Sequence, residues 1–178
     1  ASRDLTRAQE FAALFEIPRA YGTYDELLAD SNVQAVYIPL PNSEHAPWAI
    51  KAMQAGKHVL VEKPFALNSD DAHMMVSTAL ENNMVLMEGF MYRYSERFEK
   101  IYEIVRAGTI GKVRLVQSGF SFPLSNPDDI RLSSDLGGGA IYDLGCYCVN
   151  LQRQLVGREP ASVQALCQMS NSGVDLQT

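Results

Sequence analysis

The sequence predicts an α/β fold built on a parallel, doubly wound sheet. Three observations carry that expectation. Over the first ninety residues, short apolar runs rich in β-branched residues alternate with stretches of helical periodicity. The run Val59, Leu60, Val61 leads straight into Glu62, Lys63 and Pro64, which sets charged side chains at the carboxyl end of an apolar strand, where open α/β sheets bind ligands. After Arg93 the rhythm changes to a longer alternating run, a polar loop and a helix opened by three glycines.

Taken in order, residues 4–16 carry Leu5, Ala8, Phe11, Ala12 and Phe15 on one face, with Ser2 or Asp4 as cap. Residues 24–29 form a short helix opened by Thr23, and residues 33–40 a strand that stops at Pro39 and Pro41. A helix over 45–55 ends at Gly56, a C-terminal glycine cap. The strand 59–61, a helix over 69–82 capped by Ser69, Asp70 and Asp71, and the strand 85–87 complete the first unit. Beyond it lie a helix over 98–107, a long strand over 112–122, the Pro/Asn/Asp loop 123–135, a helix over 140–155 ended near Gly157, a strand-like run over 161–169 and a polar tail. A domain boundary is expected near residue 93, giving units of 1–93 and 94–178.

Composition narrows the function classes. The 47% hydrophobic and 20% charged content is that of an ordinary globular protein. A formal net charge of −6 argues against nucleic acid as partner, because phosphate contacts need clustered Lys and Arg. No apolar run approaches the roughly 18–20 residues of a membrane span. Cys146, Cys148 and Cys167 are odd in number and include no CxxC pair, which argues against a disulfide framework or a zinc site and fits a cytoplasmic protein.

Three segments carry chemistry. Pro39, Leu40, Pro41, Asn42, Ser43, Glu44 and His45 join a strand end to a helix start, with Asn42 or Ser43 as cap and with amides that could meet a cofactor. In Glu62-Lys63-Pro64 the acid can hold the lysine, and the proline restricts Lys63 to extended backbone; the Lys63–Pro64 bond is also of the kind that can be cis. In the stretch from Gly137 to Tyr147 neither phosphate-loop fingerprint is present, so the glycines are expected to permit close backbone approach. There Asp143 and Tyr147 stand four apart on one helical face, a carboxylate beside a phenol suited to moving a proton. Each segment alone also fits a plain structural role: a β-α turn, a surface ion pair, a buried tyrosine bonded to an acid.

Together these segments resemble the Gfo/Idh/MocA family of nicotinamide-dependent oxidoreductases. The matching residues are Ala20 to Leu28, the Pro39-to-His45 turn, Gly56 to Pro64, Gly89 to Tyr94, Gly108 to Val113 and Gly137 to Tyr147, in register over nearly the whole chain. The resemblance implies a Rossmann domain followed by an α/β domain with a large open sheet. It implies NADP or NAD as cofactor and hydride transfer at a hydroxyl or carbonyl carbon of a sugar, sugar nucleotide or cyclic diol. It makes Lys63 catalytic and lands the family's second motif on Asp143, Gly145 and Tyr147. Tyr147 stands where the commonest pattern has histidine, as in the branch with glucose-fructose oxidoreductase, sugar-nucleotide ketoreductases and dihydrodiol dehydrogenases.

The resemblance further implies that Ser2 and Arg3 meet the 2′-phosphate of NADP, and that Pro39, Leu40, Asn42, His45, Glu62, Lys63 and Arg93 line the cofactor. The family's glycine fingerprint is absent, so the chain is expected to be an internal fragment that does not turn over alone. In the expected mechanism Tyr147 exchanges the substrate's hydroxyl proton, Lys63 bonds the same oxygen and lowers the tyrosine's pKa from about 10, and Asp143 orients the substrate or the lysine. A homo-oligomer, dimer or tetramer, is expected to cover the large sheet. The rival expectations are a non-catalytic binding protein on the same fold and a lyase or glycosidase that holds its nicotinamide cofactor tightly.

Overall fold

A computed structural model describes residues 1–178. Six helices are present: α1 (Leu5–Leu14), α2 (Tyr24–Ala29), α3 (His45–Gln54), α4 (Ser69–Glu81), α5 (Glu96–Arg106) and α6 (Cys146–Val156). The strands are β1 (Ala35–Ile38), β2 (His58–Val61), β3 (Leu86–Glu88), β4 (Gln168–Met169) and β5 (Asp175–Gln177). Strands β1, β2 and β3 form one parallel sheet in that order, with Ile38 beside Val61 and Val61 beside Glu88. Their carboxyl ends therefore share one edge, and Glu62 and Lys63 stand at its centre.

The helices start where short polar side chains replace missing backbone partners. Asp4 accepts from Thr6 and Arg7, Thr23 from Glu26, and Ser95 from Phe98. Two expected caps are corrected. Helix α4 is capped by Asn68, whose side chain accepts from Asp71 N, and not by the residues that follow. Neither Asn42 nor Ser43 caps α3; residues Asn42–Glu44 form a 3₁₀ turn instead.

The core lies between the sheet and α3 and α4. Ala49, Ala52 and Met53 of α3, Met75 of α4, and Val59 and Val61 of β2 are all but inaccessible. Small alanines let α3 lie close on the strands. The other sheet face is open: Tyr37 is 55% and Leu60 37% exposed. Within the run 59–61 only Val59 and Val61 are buried, because the packed helices sit on one side.

The second half departs further from expectation. Residues 112–122 pair with no strand. A strand needs a neighbour's N–H and C=O groups; this stretch is tied instead by side chains, Gln152 Nε2 donating to Ser118 Oγ at 3.0 Å and Phe120 packing on Tyr147. Of the run 161–169 only Gln168–Met169 pairs, antiparallel to Asp175–Gln177. The polar tail is therefore a hairpin rather than a loose end. The helix expected over 140–155 begins as a π-helical turn, Ile141–Gly145, before α6, and it ends at Gly157 with φ of 70°.

Candidate functional site

Chain geometry brings Lys63 and Asp143, 80 positions apart, into contact. Lys63 Nζ donates to Asp143 Oδ1 at 2.7 Å and to the Asp143 carbonyl at 2.6 Å. Both side chains are only 15% exposed. The Lys63–Pro64 peptide is cis. The second carboxylate oxygen of Asp143 accepts from Arg131 Nε at 2.7 Å. Burial pushes the Asp143 carboxyl up, but the hydrogen bonds and charges of Lys63 and Arg131 outweigh it and hold the group below the usual carboxylate range.

Tyr147 lies one turn further on. Lys63 Nζ sits over its ring, 5.2 Å from the centroid. Phe90, Phe120 and Tyr92 pack around that ring at centroid distances of 5.4, 5.8 and 6.1 Å. The expected lowering of the tyrosine's pKa is corrected: burial first, then the Glu62 carboxylate, push the Tyr147 phenol up. The ammonium of Lys63 is already matched by Asp143.

Glu62 accepts from Tyr37 Oη at 2.6 Å. On the next strand Glu88 accepts the Phe65 N–H at 2.8 Å and so holds the chain just past Pro64; burial pushes the Glu88 carboxyl up. Gly89 lets β3 run close to this edge, since a Cβ there would lie 3.3 Å from the Val61 carbonyl and from Glu62.

The glycine run closes the other wall. Asn42 Nδ2 donates to the Gly137 carbonyl at 2.8 Å, and Ser43 N to the Leu136 carbonyl at 3.2 Å. A Cβ on Gly137 would come within 2.5 Å of Leu67, and one on Gly138 would strike the Arg131 and Ser133 carbonyls. Asp175 Oδ2 accepts the Ile141 N–H at 2.8 Å and caps the π-helical turn.

These walls enclose a cavity of about 180 Å³ at the strand ends, lined by Pro39, Leu40, Glu62, Lys63, Arg131 and Asp143 among others. A second cavity of about 430 Å³ lies on the far side of Arg131 and Asp143, walled by Phe120, Phe122 and Leu124.

Of the residues singled out from sequence, the structure gathers Pro39, Leu40, Asn42, His45, Glu62, Lys63 and Asp143 here, with Tyr147 adjoining through Lys63. His45 is wholly buried, its Nδ1 2.7 Å from the Pro64 carbonyl and its Nε2 2.9 Å from that of Leu40. It lines the cavity and braces the two strand-end turns. Three others stand apart. Arg93 is exposed and outside the cavity lining. Ser2 bonds Tyr21 through its N–H and Arg3 is exposed, while Ala1 lines an apolar hollow beside β1 with Tyr37 and Leu40. Arg131 and Glu88 carry no motif. Arg131 is, however, the only basic residue of the loop, in the company of Asp128, Asp129 and Asp135, and a lone cation among acids is a legible signal.

A family model described as "Oxidoreductase family, NAD-binding Rossmann fold" matches residues 1–90, and one described as "GFO/IDH/MocA C-terminal domain" matches residues 98–178. The chain belongs to the Gfo/Idh/MocA family. Among its Gfo/Idh/MocA relatives, a D-xylose 1-dehydrogenase (NADP(+)) from Haloferax volcanii is 42% identical over 98% of this chain and 54% of its own length. A trans-1,2-dihydrobenzene-1,2-diol dehydrogenase from Mus musculus is 38% identical over 98% of this chain and 53% of its own. An aldose-aldose oxidoreductase from Caulobacter crescentus, solved with glycerol, superposes with a TM-score of 0.89 at 32% identity, over 96% of this chain and 52% of that one. The chain thus spans about half the length of the curated relatives it matches. No helix is long and apolar enough to cross a membrane.

Proposed function

We propose that the protein is an oxidoreductase that transfers a hydride between NADP or NAD and a hydroxyl or carbonyl carbon of a sugar, sugar nucleotide or cyclic diol. The observation that carries this reading is Lys63, fixed by Asp143 at the strand-end cavity with its ammonium over the Tyr147 ring. The family match supports it. So does a 3-ketoreductase from Actinomadura kijaniata, solved with NADP. Variants of that enzyme alter a lysine and a tyrosine 84 positions apart, the separation of Lys63 and Tyr147 here.

The residues present fit the nicotinamide end of such a cofactor: Pro39 and Leu40 offer an apolar wall, and Glu62 and Lys63 a polar end. The cofactor, when bound, supplies the hydride chemistry. Tyr147 exchanges a proton between its Oη and the substrate oxygen. Lys63 has three donors, of which Asp143 takes two; the remaining one is available to the same oxygen. Glu62 keeps negative charge near the phenol, so that the tyrosine stays protonated until a substrate oxygen takes its proton. Arg3, at the exposed N-terminal segment, is assigned to the 2′-phosphate of NADP.

In this reading the chain divides near residue 93, and the matches over residues 1–90 and 98–178 support that division. A homo-oligomer, dimer or tetramer, accounts for the exposed Leu115, Val163 and Leu166, at 74%, 78% and 93%. A cytoplasmic location accords with three free cysteines.

The test is cofactor fluorescence with NADPH and NADH, followed by NADP-linked oxidation of D-xylose and of trans-1,2-dihydrobenzene-1,2-diol by the whole protein. Binding with substrate-dependent reduction supports the reading. Binding without reduction of NADP by either substrate class, or by a wider sugar panel, overturns it in favour of a non-catalytic binder.

A further inference from the structure

Arg131 stands where the two cavities meet, and lines both. Its Nε donates to Asp143 Oδ2 at 2.7 Å, its Nη1 faces Asp129 Oδ1 at 3.3 Å, and its guanidinium lies 5.7 Å from the centre of the Phe122 ring. The other oxygen of Asp143 accepts Lys63. One carboxylate is therefore held from opposite sides by two cations. With a single partner the carboxylate could turn about its Cβ–Cγ bond; with two it cannot turn without breaking a charge-assisted bond.

The loop that carries Arg131 is fixed without its side chain. The Arg131 N–H donates to Asp129 Oδ1 at 2.9 Å, and its carbonyl accepts the Gly139 N–H at 2.9 Å. Close packing of Gly138 on that carbonyl fixes it further. The guanidinium is thus presented to Asp143 by a backbone that does not depend on it.

We propose that Arg131 is a positioning residue: it locks the plane of Asp143, which in turn aims the free donor of Lys63 at the oxygen shared with Tyr147. This rests on the reading of Lys63 and Tyr147 given above. A misplacement of about 1 Å at a reacting centre can cost on the order of a hundredfold in rate, so a small turn of Asp143 is enough to matter.

The experiment compares Arg131→Met and Arg131→Lys with the parent protein. The readouts are turnover of NADP with D-xylose or the trans-diol, cofactor affinity, melting temperature and a carbon-13 NMR titration of the aspartate carboxyls. In R131M the Asp143 titration moves upward, because a cation that favours the carboxylate is gone, and kcat falls about tenfold or more while cofactor affinity holds. R131K recovers most of kcat. The proposal is overturned if kcat in R131M stays near the parent value, if the Asp143 titration does not move, or if R131K fails to recover turnover while melting falls in both variants, the mark of a structural role. Normal turnover in Lys63→Met would instead overturn the reading of Lys63, and the carboxyl titration would still report by itself whether Arg131 holds Asp143.

Discussion

Lys63 meets Tyr147 through the face of its ring and not through its hydroxyl. The ammonium lies 5.2 Å from the ring centroid, and its hydrogen bonds go to the side chain and carbonyl of Asp143. The lysine is thereby placed beside the phenol with one donor in reserve. The phenol keeps a pKa above its ordinary value through burial and the nearby Glu62 carboxylate. A substrate oxygen that enters between the two can receive one hydrogen bond from each.

Replacing Lys63 by Met keeps an unbranched side chain, one atom shorter, and removes the charge. It leaves Asp143 paired with Arg131 alone. Turnover in the whole protein should fall roughly 10²- to 10⁴-fold, the range for loss of a proton-transfer or charge-stabilising group, while NADPH affinity changes far less. Steady-state kinetics beside a fluorescence titration checks this, and near-parent turnover would remove Lys63 from the mechanism.

Tyr147→Phe deletes only the hydroxyl. No protein group hydrogen-bonds that hydroxyl in the structure, and the ring's contacts with Phe90, Tyr92 and Phe120 survive the change. The variant should therefore melt close to the parent yet lose turnover by a factor of about 10² or more. Glu62→Gln is the informative companion. Removing that negative charge lets the Tyr147 pKa fall back toward 10.0, so the alkaline limb of the pH–rate profile should move to lower pH. An alkaline limb that stays in place would assign it to another group.

What could be read from the sequence divides along range. Helices α2 and α3 and strand β2 were legible because their signals are local: the Thr23 cap, the glycine after α3, the β-branched run before Glu62. The cluster of Lys63, Asp143 and Tyr147 was legible through motif register. The strand expected over 112–122 was not found, because a ladder needs a partner that no local pattern supplies. Asn42 read as a cap because its neighbours suit one; its amide instead crosses to Gly137, 95 positions away. Arg131 escaped for the same reason, since its value lies in an ion pair closed only by the fold. The bracing part of His45 was not legible either, since its Nδ1 partner, the Pro64 carbonyl, meets it only in the fold.

Tyr37 gives a pH prediction on stability. Its hydroxyl donates to Glu62, and that bond, with burial second, pushes its pKa up from 10.0 to about 12. The folded state therefore holds the phenolic proton more tightly than the unfolded chain. The stabilisation is fully present below pH 10 and is lost as pH rises from about 10 to about 12. Denaturation followed across that window should show stability falling more steeply in the parent than in Tyr37→Phe. Parallel curves would mean the bond is not formed in solution.

Gly138→Ala tests whether the glycine run serves close approach, as its geometry requires. A Cβ there would strike the Arg131 carbonyl and come within 2.8 Å of the Ser133 carbonyl, both backbone atoms that cannot swing aside. Relief requires the loop to move, which breaks the bond from Gly139 N to the Arg131 carbonyl and draws the guanidinium off Asp143. Overpacking of this kind costs about 1–3 kcal/mol, visible as a lower denaturation midpoint, and the Asp143 carboxyl should titrate higher as its second cation withdraws. Gly56→Ala is the control. That site needs a positive φ of 73° but has open space around it, so its variant should lose stability through backbone strain alone and leave the Asp143 titration where it was. A Gly138→Ala protein with parent stability and an unmoved titration would show that the loop has slack, and that Asp143 is held by Lys63 without help from the glycine-packed backbone of Arg131.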